Sequence, residues 1–181
     1  MEVKRAVDVM IPLDSYPHIP YWFTLCQAMA ALEKAEFDVG GRKSLPRCVL
    51  VFNEAYDLLG MARRRDILRG LHPESLAEIN LPRTLGKARE ASDPRLAETI
   101  RERLARPISD VMKPIQDSVN HDDHIIEVMC RMVNRDLSFI PVMKDGEAIG
   151  VVRTVEILGE LSPICGGRLE PTSSASEHPK A

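Results

Sequence analysis

At 181 residues, 44% hydrophobic and 28% charged, the chain has a globular balance and suits one ordinary domain or two very small ones. No run approaches 18 apolar residues, so no membrane-spanning helix is expected, and a net charge of −3 gives no general attraction to nucleic acid. The opening MEVKRAVDVM has no apolar stretch behind its Lys and Arg, so no signal peptide is expected and the cytoplasm is the expected compartment.

The first recognisable segment is DVMIP, residues 8–12. A polar, proline-broken loop follows, LDSYPHIPYWF, where Tyr21-Trp22-Phe23 gathers three of the chain's eight aromatic residues. Aromatics that dense before a helix suit a core plug or a dimer contact, a stacking wall or partner surface being the other use. TLCQAMAALEKAEF then sets Leu25, Ala28, Met29 and Leu32 at helical spacing. Thr24 with Gln27 forms a capping box at its start. After DVGGRKSLPR come a strand CVLVF, a polar turn NEAYD, a strand LLGMA and a helix opening on RRRDIL.

Residues 71–106 read as a structured connector. PESLAEI and DPRLAETIRERLARP are helical in pattern, with Asp93 to cap the latter and Pro94 in its first turn. Then the order repeats. DVMKP, residues 110–114, matches DVMIP at four of five positions, 102 residues on. HIIEVMCRMVNRDL places Ile125, Val128, Met129 and Met132 in the same apolar stripe, and FIPVM, the tight turn KDGE and AIGVV stand for the strand pair. Gly60 aligns with Gly150, Arg63 with Arg153 and Ile67-Leu68 with Ile157-Leu158, so the first copy carries ten extra residues near 38–47. One DVM-x-P arises readily by chance; the same order of elements with matching Gly, Arg and Ile-Leu predicts an internal duplication. The tail, 163–181, is polar and is expected to be disordered, because it has little apolar surface to offset chain entropy.

Cys26, Cys48, Cys130 and Cys165 are widely spaced, with no CxxC. Cys26 and Cys130 fall in helical patterns and Cys48 in a strand pattern, where buried small hydrophobes are expected rather than redox or metal chemistry. His121 and His124 stand three apart near a helix start; a metal site needs more ligands, so no metal is expected and a capping or solvated role is.

The succession DVM-x-P, capped helix, FIPVM, KDG, GVV-x-x-x-E-IL resembles the cystathionine-β-synthase (CBS) domain, and two such units in tandem resemble a Bateman module. The resemblance implies an α+β fold: two β-α-β-β-α units, 1–70 and 107–162, each with a short three-stranded sheet, packed sheet to sheet about a pseudo-twofold axis. One copy of about 55 residues buries too little surface to be comfortably stable alone. Pairing two supplies the core and creates two symmetry-related clefts. The family uses such clefts for adenosine-containing ligands, mostly as sensors or regulators without catalysis, and forms flat homodimers through helices. The resemblance thus implies a stand-alone regulatory module with AMP, ADP or ATP as candidate ligand, no required cofactor, a homodimer and an unidentified protein partner.

In the family a Gly is followed by two apolar residues, Ser or Thr, two variable residues and Asp. That Asp accepts both ribose hydroxyls through charge-assisted bonds. It corresponds to Asp66 after Gly60, and in the second copy to Glu156 after Gly150. Either carboxylate also suits the start of its own helix, with no ligand. Where the family has the hydroxyl residue this chain has Arg63 and Arg153, and the first copy adds Arg64 and Arg65. Guanidinium grips phosphate bidentately and a helix start favours anions, which suits a polyphosphate; a solvated basic turn, or pairing with Asp66 or Glu156, is the other reading. By alignment the base is expected against Met10 and Ile11 with Leu50 and Val51, and against Met112 and Lys113 with Ile140 and Pro141, positions that also suit core packing. No Ser-His-Asp order, P-loop or GxGxxG is present, and no catalytic residue is expected. The competing function is a pair with empty clefts whose task is dimerisation.

Overall fold

The computed structural model describes residues 4–39, 42–72 and 94–165. The helix expected over PESLAEI, the cap expected at Asp93 and the tail beyond 165 lie outside the described residues. In chain order the elements are α1 (Ala6–Val9), β1 (Ile11–Pro12), a 3-10 turn (Leu13–Ser15), β2 (His18–Pro20), α2 (Leu25–Lys34), β3 (Phe37–Val39), β4 (Arg42–Ser44), β5 (Cys48–Phe52), β6 (Leu58–Arg63) and α3 (Arg64–Leu71). Then come α4 (Pro94–Leu104), a 3-10 turn (Ile108–Asp110), β7 (Lys113–Pro114), β8 (Val119–Asn120), α5 (Ile125–Asn134), β9 (Phe139–Lys144), β10 (Glu147–Arg153), α6 (Thr154–Leu161) and a 3-10 turn (Ser162–Cys165) that takes in the first residues of the expected tail.

Local chemistry fixes these elements as the residue types dictate. Thr24 Oγ1 accepts from the Gln27 N–H at 3.2 Å, and Gln27 Oε1 accepts from the Thr24 N–H at 2.8 Å, closing the capping box of α2. His124 does the same office for α5: its Nδ1 accepts from the Ile126 N–H at 3.1 Å. The β9–β10 turn is a two-residue hairpin with Asp145 at φ 51° and Gly146 at φ 89°, matching the right-handed strand twist. The corresponding loop of the first copy holds Tyr56 at φ 65°. Its ring stacks on Phe52 at 4.7 Å and its hydroxyl donates to His18 Nε2 at 2.8 Å, which together hold a conformation a bulky residue rarely adopts. Tyr21 and Phe23 pack partly buried against the first-repeat core, and Trp22 is half exposed.

The sheets differ from the three-stranded ones expected. Each has four strands, ordered β1-β10-β9-β8 and β2-β5-β6-β7, and in each the edge strand β1 or β7 comes from the other repeat. Ile11 pairs with Val151 and Pro12 with Gly150; Gly60 pairs with Pro114 and Met61 with Lys113. The cause lies at the helix starts, where backbone N–H groups lack partners within the helix. The Ala6 N–H donates to Asp123 O at 2.9 Å and the Ile125 N–H to Lys4 O at 3.1 Å; reciprocally, the Leu25 N–H donates to Arg106 O at 2.9 Å and the Ile108 N–H to Phe23 O at 2.6 Å. DVMIP therefore belongs in space to the second repeat and DVMKP to the first.

The core has three parts that follow this exchange. Between the sheets lie Ile11, Leu13, Tyr16, Cys48, Leu50, Phe52, Phe139 and Val151. On the helix side of the second repeat, Ala6 and Val9 of α1 join Ile125, Val128, Met132 and Ile140. On the helix side of the first, Ile108 joins Leu25, Ala28, Leu32 and Val51, with Val111 and Met112 packed against them. Cys48 is buried as expected, whereas Cys26 and Cys130 are exposed. Each follows a stripe residue by one position, Leu25 and Met129, and one position on a helix turns the side chain about 100° away. No helix among the described residues is long and apolar enough to cross a membrane.

Candidate functional site

Each repeat ends its second long strand on an arginine and starts its second helix immediately after. Arg63 and Arg153 are extended, and the carboxylate three residues on folds back over the free N–H groups of the helix start. Asp66 Oδ2 accepts from the Arg63 N–H at 3.1 Å and from Arg63 Nε at 2.9 Å. Glu156 Oε2 accepts from the Arg153 N–H at 3.0 Å and from Arg153 Nε at 2.9 Å. The arginine-to-carboxylate pairing weighed from sequence is thus present in both copies, but the two differ in what remains.

In the first copy Asp66 is 1% exposed and Arg63 is 49% exposed. Oδ2 carries the cap alone. Asp66 Oδ1 is buried without a hydrogen bond; Arg69 Nη1 stands 3.6 Å away, close enough for charge and too far for a hydrogen bond. Burial pushes this carboxyl's pKa up, but the hydrogen bonds and charge of Arg63, with Lys113, hold it below the usual carboxylate range. Lys113 arrives on β7 from the second repeat, opposite Met61. Arg65 is exposed and has no ion-pair partner among the described residues. Arg64 points elsewhere: its guanidinium donates to the carbonyls of Pro46 and, at 3.4 Å, Leu32. The result is a buried acceptor oxygen without a donor, rimmed by Arg63, Arg69 and Lys113, which suits a ligand that offers hydroxyls beside negative charge.

In the second copy Arg153 is 4% exposed and the Glu156 side chain 3%. The extra methylene of Glu lays the carboxylate alongside the guanidinium, so Nε and Nη2 both bind it. Arg153 Nη1 donates to Ser44 Oγ at 3.0 Å. Both turns lie at one end of the inter-sheet core, since the charges of Arg63 and Arg153 both bear on the Cys48 thiol. Burial pushes that thiol up to about 11, and its Sγ sits 3.4 Å from the Tyr16 hydroxyl.

The strand exchange corrects the expected grouping of base-contact residues. Met10 and Ile11 lie on β10 beside Gly150, next to Pro141 and Ile140 of β9; Met112 and Lys113 lie on β6 beside Gly60, next to Leu50 and Val51 of β5. Leu50, Val51 and Ile140 are fully buried. Two residues of the site escaped sequence reasoning. Arg69 stands three after Asp66, a helical spacing that could have been read; Ser44, 109 positions from Arg153, gives no local signal.

Residues 108–163 match the family model of the CBS domain. The chain carries a CBS domain. That match covers the second repeat, and the CBS fold extends over the first as well. A CBS domain-containing protein of unknown function from Kribbella flavida superposes with a TM-score of 0.65 at 18% identity, covering 88% of this chain and 98% of that one. The structure of CBSX2 in complex with AMP gives 0.60 at 16% identity, over 89% and 98%. The cytosolic domain of the Mg2+ channel MgtE in complex with ATP gives 0.56 at 20% identity, over 87% of this chain and 48% of that one. At such identities the likeness is one of fold: two CBS-type units packed sheet to sheet. No curated protein matches the sequence.

Proposed function

We propose that this chain is a regulatory CBS-pair module of the cytoplasm, without catalysis of its own, that takes an adenosine-containing nucleotide in its first cleft and passes the occupancy to a protein partner or through its own dimer. The observation that carries the reading is Asp66 Oδ1, a buried carboxylate oxygen without a hydrogen-bond donor at the position where the family resemblance puts the ribose acceptor. AMP and ATP in two structural neighbours support the ligand class. In this mode Oδ1 takes the ribose hydroxyls, Oδ2 keeps the helix cap, and Arg63, Arg65 and Lys113 face the phosphates. The base lies along the Met112–Lys113 strand where it crosses Gly60, with Leu50 and Val51 behind it. The corresponding set in the second cleft, Arg153 and Glu156 with Met10, Ile11, Ile140 and Pro141, has its charged groups paired to each other.

Replacing Asp66 with Ala removes charge-assisted hydrogen bonds worth about 1.5–3 kcal/mol, so calorimetry is expected to show ATP or AMP affinity falling roughly ten- to a hundredfold. A 2′-deoxy ligand loses affinity on the wild type and little more on Asp66→Ala, because one contact is not lost twice. Tight binding that ignores Asp66→Ala contradicts the assignment.

The second reading, a dimerisation module with empty clefts, draws on the same arginines, since both already hold their carboxylates without a ligand. Both readings share the homodimer. Val133, Val155 and Leu158 of the second repeat and Leu68 of the first are exposed on helices, and apolar surface of that kind marks contacts. Light scattering at micromolar concentration is expected to give twice the chain mass of 20.3 kDa; a single species at the chain mass excludes the dimer.

A further inference from the structure

The insertion in the first repeat and the buried Arg153 play no part in nucleotide binding as proposed, and they meet. Ser44 ends β4 within the insertion, and its Oγ accepts from Arg153 Nη1 at 3.0 Å. Two residues on, the Pro46 carbonyl accepts from Arg64 Nη1. The return limb of the insertion is therefore gripped twice, by an arginine of its own repeat and by one of the other. Arg153 also donates through Nε and Nη2 to Glu156, and both Glu156 oxygens are engaged.

We propose that the return limb of the insertion, at Ser44 and Pro46, with Arg153 and Glu156 forms a clamp that fills the polar end of the second cleft, so that the chain takes one nucleotide where the fold offers two clefts; this rests on the nucleotide reading of the first. A ribose entering the second cleft would have to pull Glu156 from a buried fork pair, leaving Arg153 as an uncompensated buried charge. A phosphate there would compete with Glu156 and Ser44, to which each of the three guanidinium nitrogens already donates. In the first cleft neither obstacle exists: Asp66 holds Arg63 through one oxygen, and Arg63 reaches solvent. The differences responsible are one methylene, Glu156 against Asp66, and one hydroxyl, Ser44. The clamp also binds the first repeat to the second across 109 positions, which makes the closed cleft a joint between them.

The test counts ATP bound per chain by native mass spectrometry and equilibrium dialysis, on the intact protein and on Ser44→Ala/Glu156→Asp. Glu156→Asp shortens the carboxylate to the reach of Asp66, and Ser44→Ala releases Nη1. One ATP per chain for the wild type and two for the double variant is the expected result. With Asp66→Ala added to weaken the first cleft, the double variant is expected to keep one tight site and the wild-type background none. Ser44→Ala alone, with its thermal melt as a control of folding, is expected to bind a second ATP more weakly than the double variant. Two ATP on the wild type overturns the clamp. So does a natively melting double variant that gains no site, whatever the wild type binds. A wild type that binds none while the double variant binds one leaves the clamp standing and removes the first-cleft reading.

Discussion

Residues 107–162, cut away in the connector and expressed alone, are expected not to fold. In the intact chain the second sheet takes its edge strand, Ile11–Pro12, from the first repeat, and the helix layer takes Ala6 and Val9. The face of the sheet that carries Phe139 and Val151 has Ile11 beside Val151 and packs with Leu13, Tyr16, Leu50 and Phe52, none of which the fragment retains. Baring Phe139 and Val151 alone costs about 3–6 kcal/mol, at roughly 1.5–3 kcal/mol for each large side chain. The gap left by Val9 and the unpaired edge of β10 add to that. A unit this small has a few kcal/mol in hand. The expected amide spectrum is collapsed and the melt is without a cooperative step, while a fragment pair that includes residues 1–72 recovers both. A dispersed spectrum with cooperative melting from 107–162 alone contradicts the exchanged architecture.

Gly150→Val is expected to be the most damaging single substitution outside the first cleft. A Cβ at Gly150 stands 2.6 Å from the Ile11 carbonyl oxygen and 2.8 Å from Met10 Sδ. The methionine can swing aside; the carbonyl belongs to β1 and cannot move without leaving the sheet. Valine therefore forces either overpacking, at about 1–3 kcal/mol, or release of β1 with the burial of Ile11, about 1.5–3 kcal/mol more. Where both occur the loss is about 2.5–6 kcal/mol, or roughly 5–24 °C in Tm for a chain of this length. Gly60→Val meets the Lys113 carbonyl at 2.5 Å and is expected to do the same to β7. Gly159→Ala is the contrast: nothing lies within 4 Å of its Cβ, it sits inside α6, and it is expected to stabilise by about 0.5–1 kcal/mol. A Gly150→Val protein that melts with the wild type shows that β1 is not on β10.

These glycines illustrate what was legible in the sequence. Their alignment could be read, together with the repeated DVM-x-P, the capped helices and the KDG hairpin, because each is set by residues within a few positions of one another. Why glycine is needed could not be read: it depends on which strand lies alongside, and the partner is 53 positions away for Gly60–Lys113 and 139 for Gly150–Ile11. The same holds for the exchange itself. Two copies with near-identical opening segments have equivalent docking sites, and sequence pattern does not say whether each segment stays at home or crosses. At the candidate site the carboxylates and arginines were legible as residue types. Whether they grip a ligand or one another turned on one methylene of reach, Asp66 against Glu156, and on a serine from the insertion. Cys26 and Cys130 were read as buried because their helices were apolar, although each lies one position off the stripe.

The central claim, a nucleotide in the first cleft, is tested most directly by thermal unfolding of the intact chain against adenosine, AMP, ADP and ATP, with guanosine counterparts beside them. A ligand present at one hundred times its Kd stabilises the folded chain by about 2.7 kcal/mol. At least one adenine nucleotide is expected to raise the melting temperature in a saturable way, with the rise much reduced in Asp66→Ala. A melt unchanged by every adenosine ligand, on protein that unfolds cooperatively, contradicts nucleotide sensing and leaves dimerisation as the function.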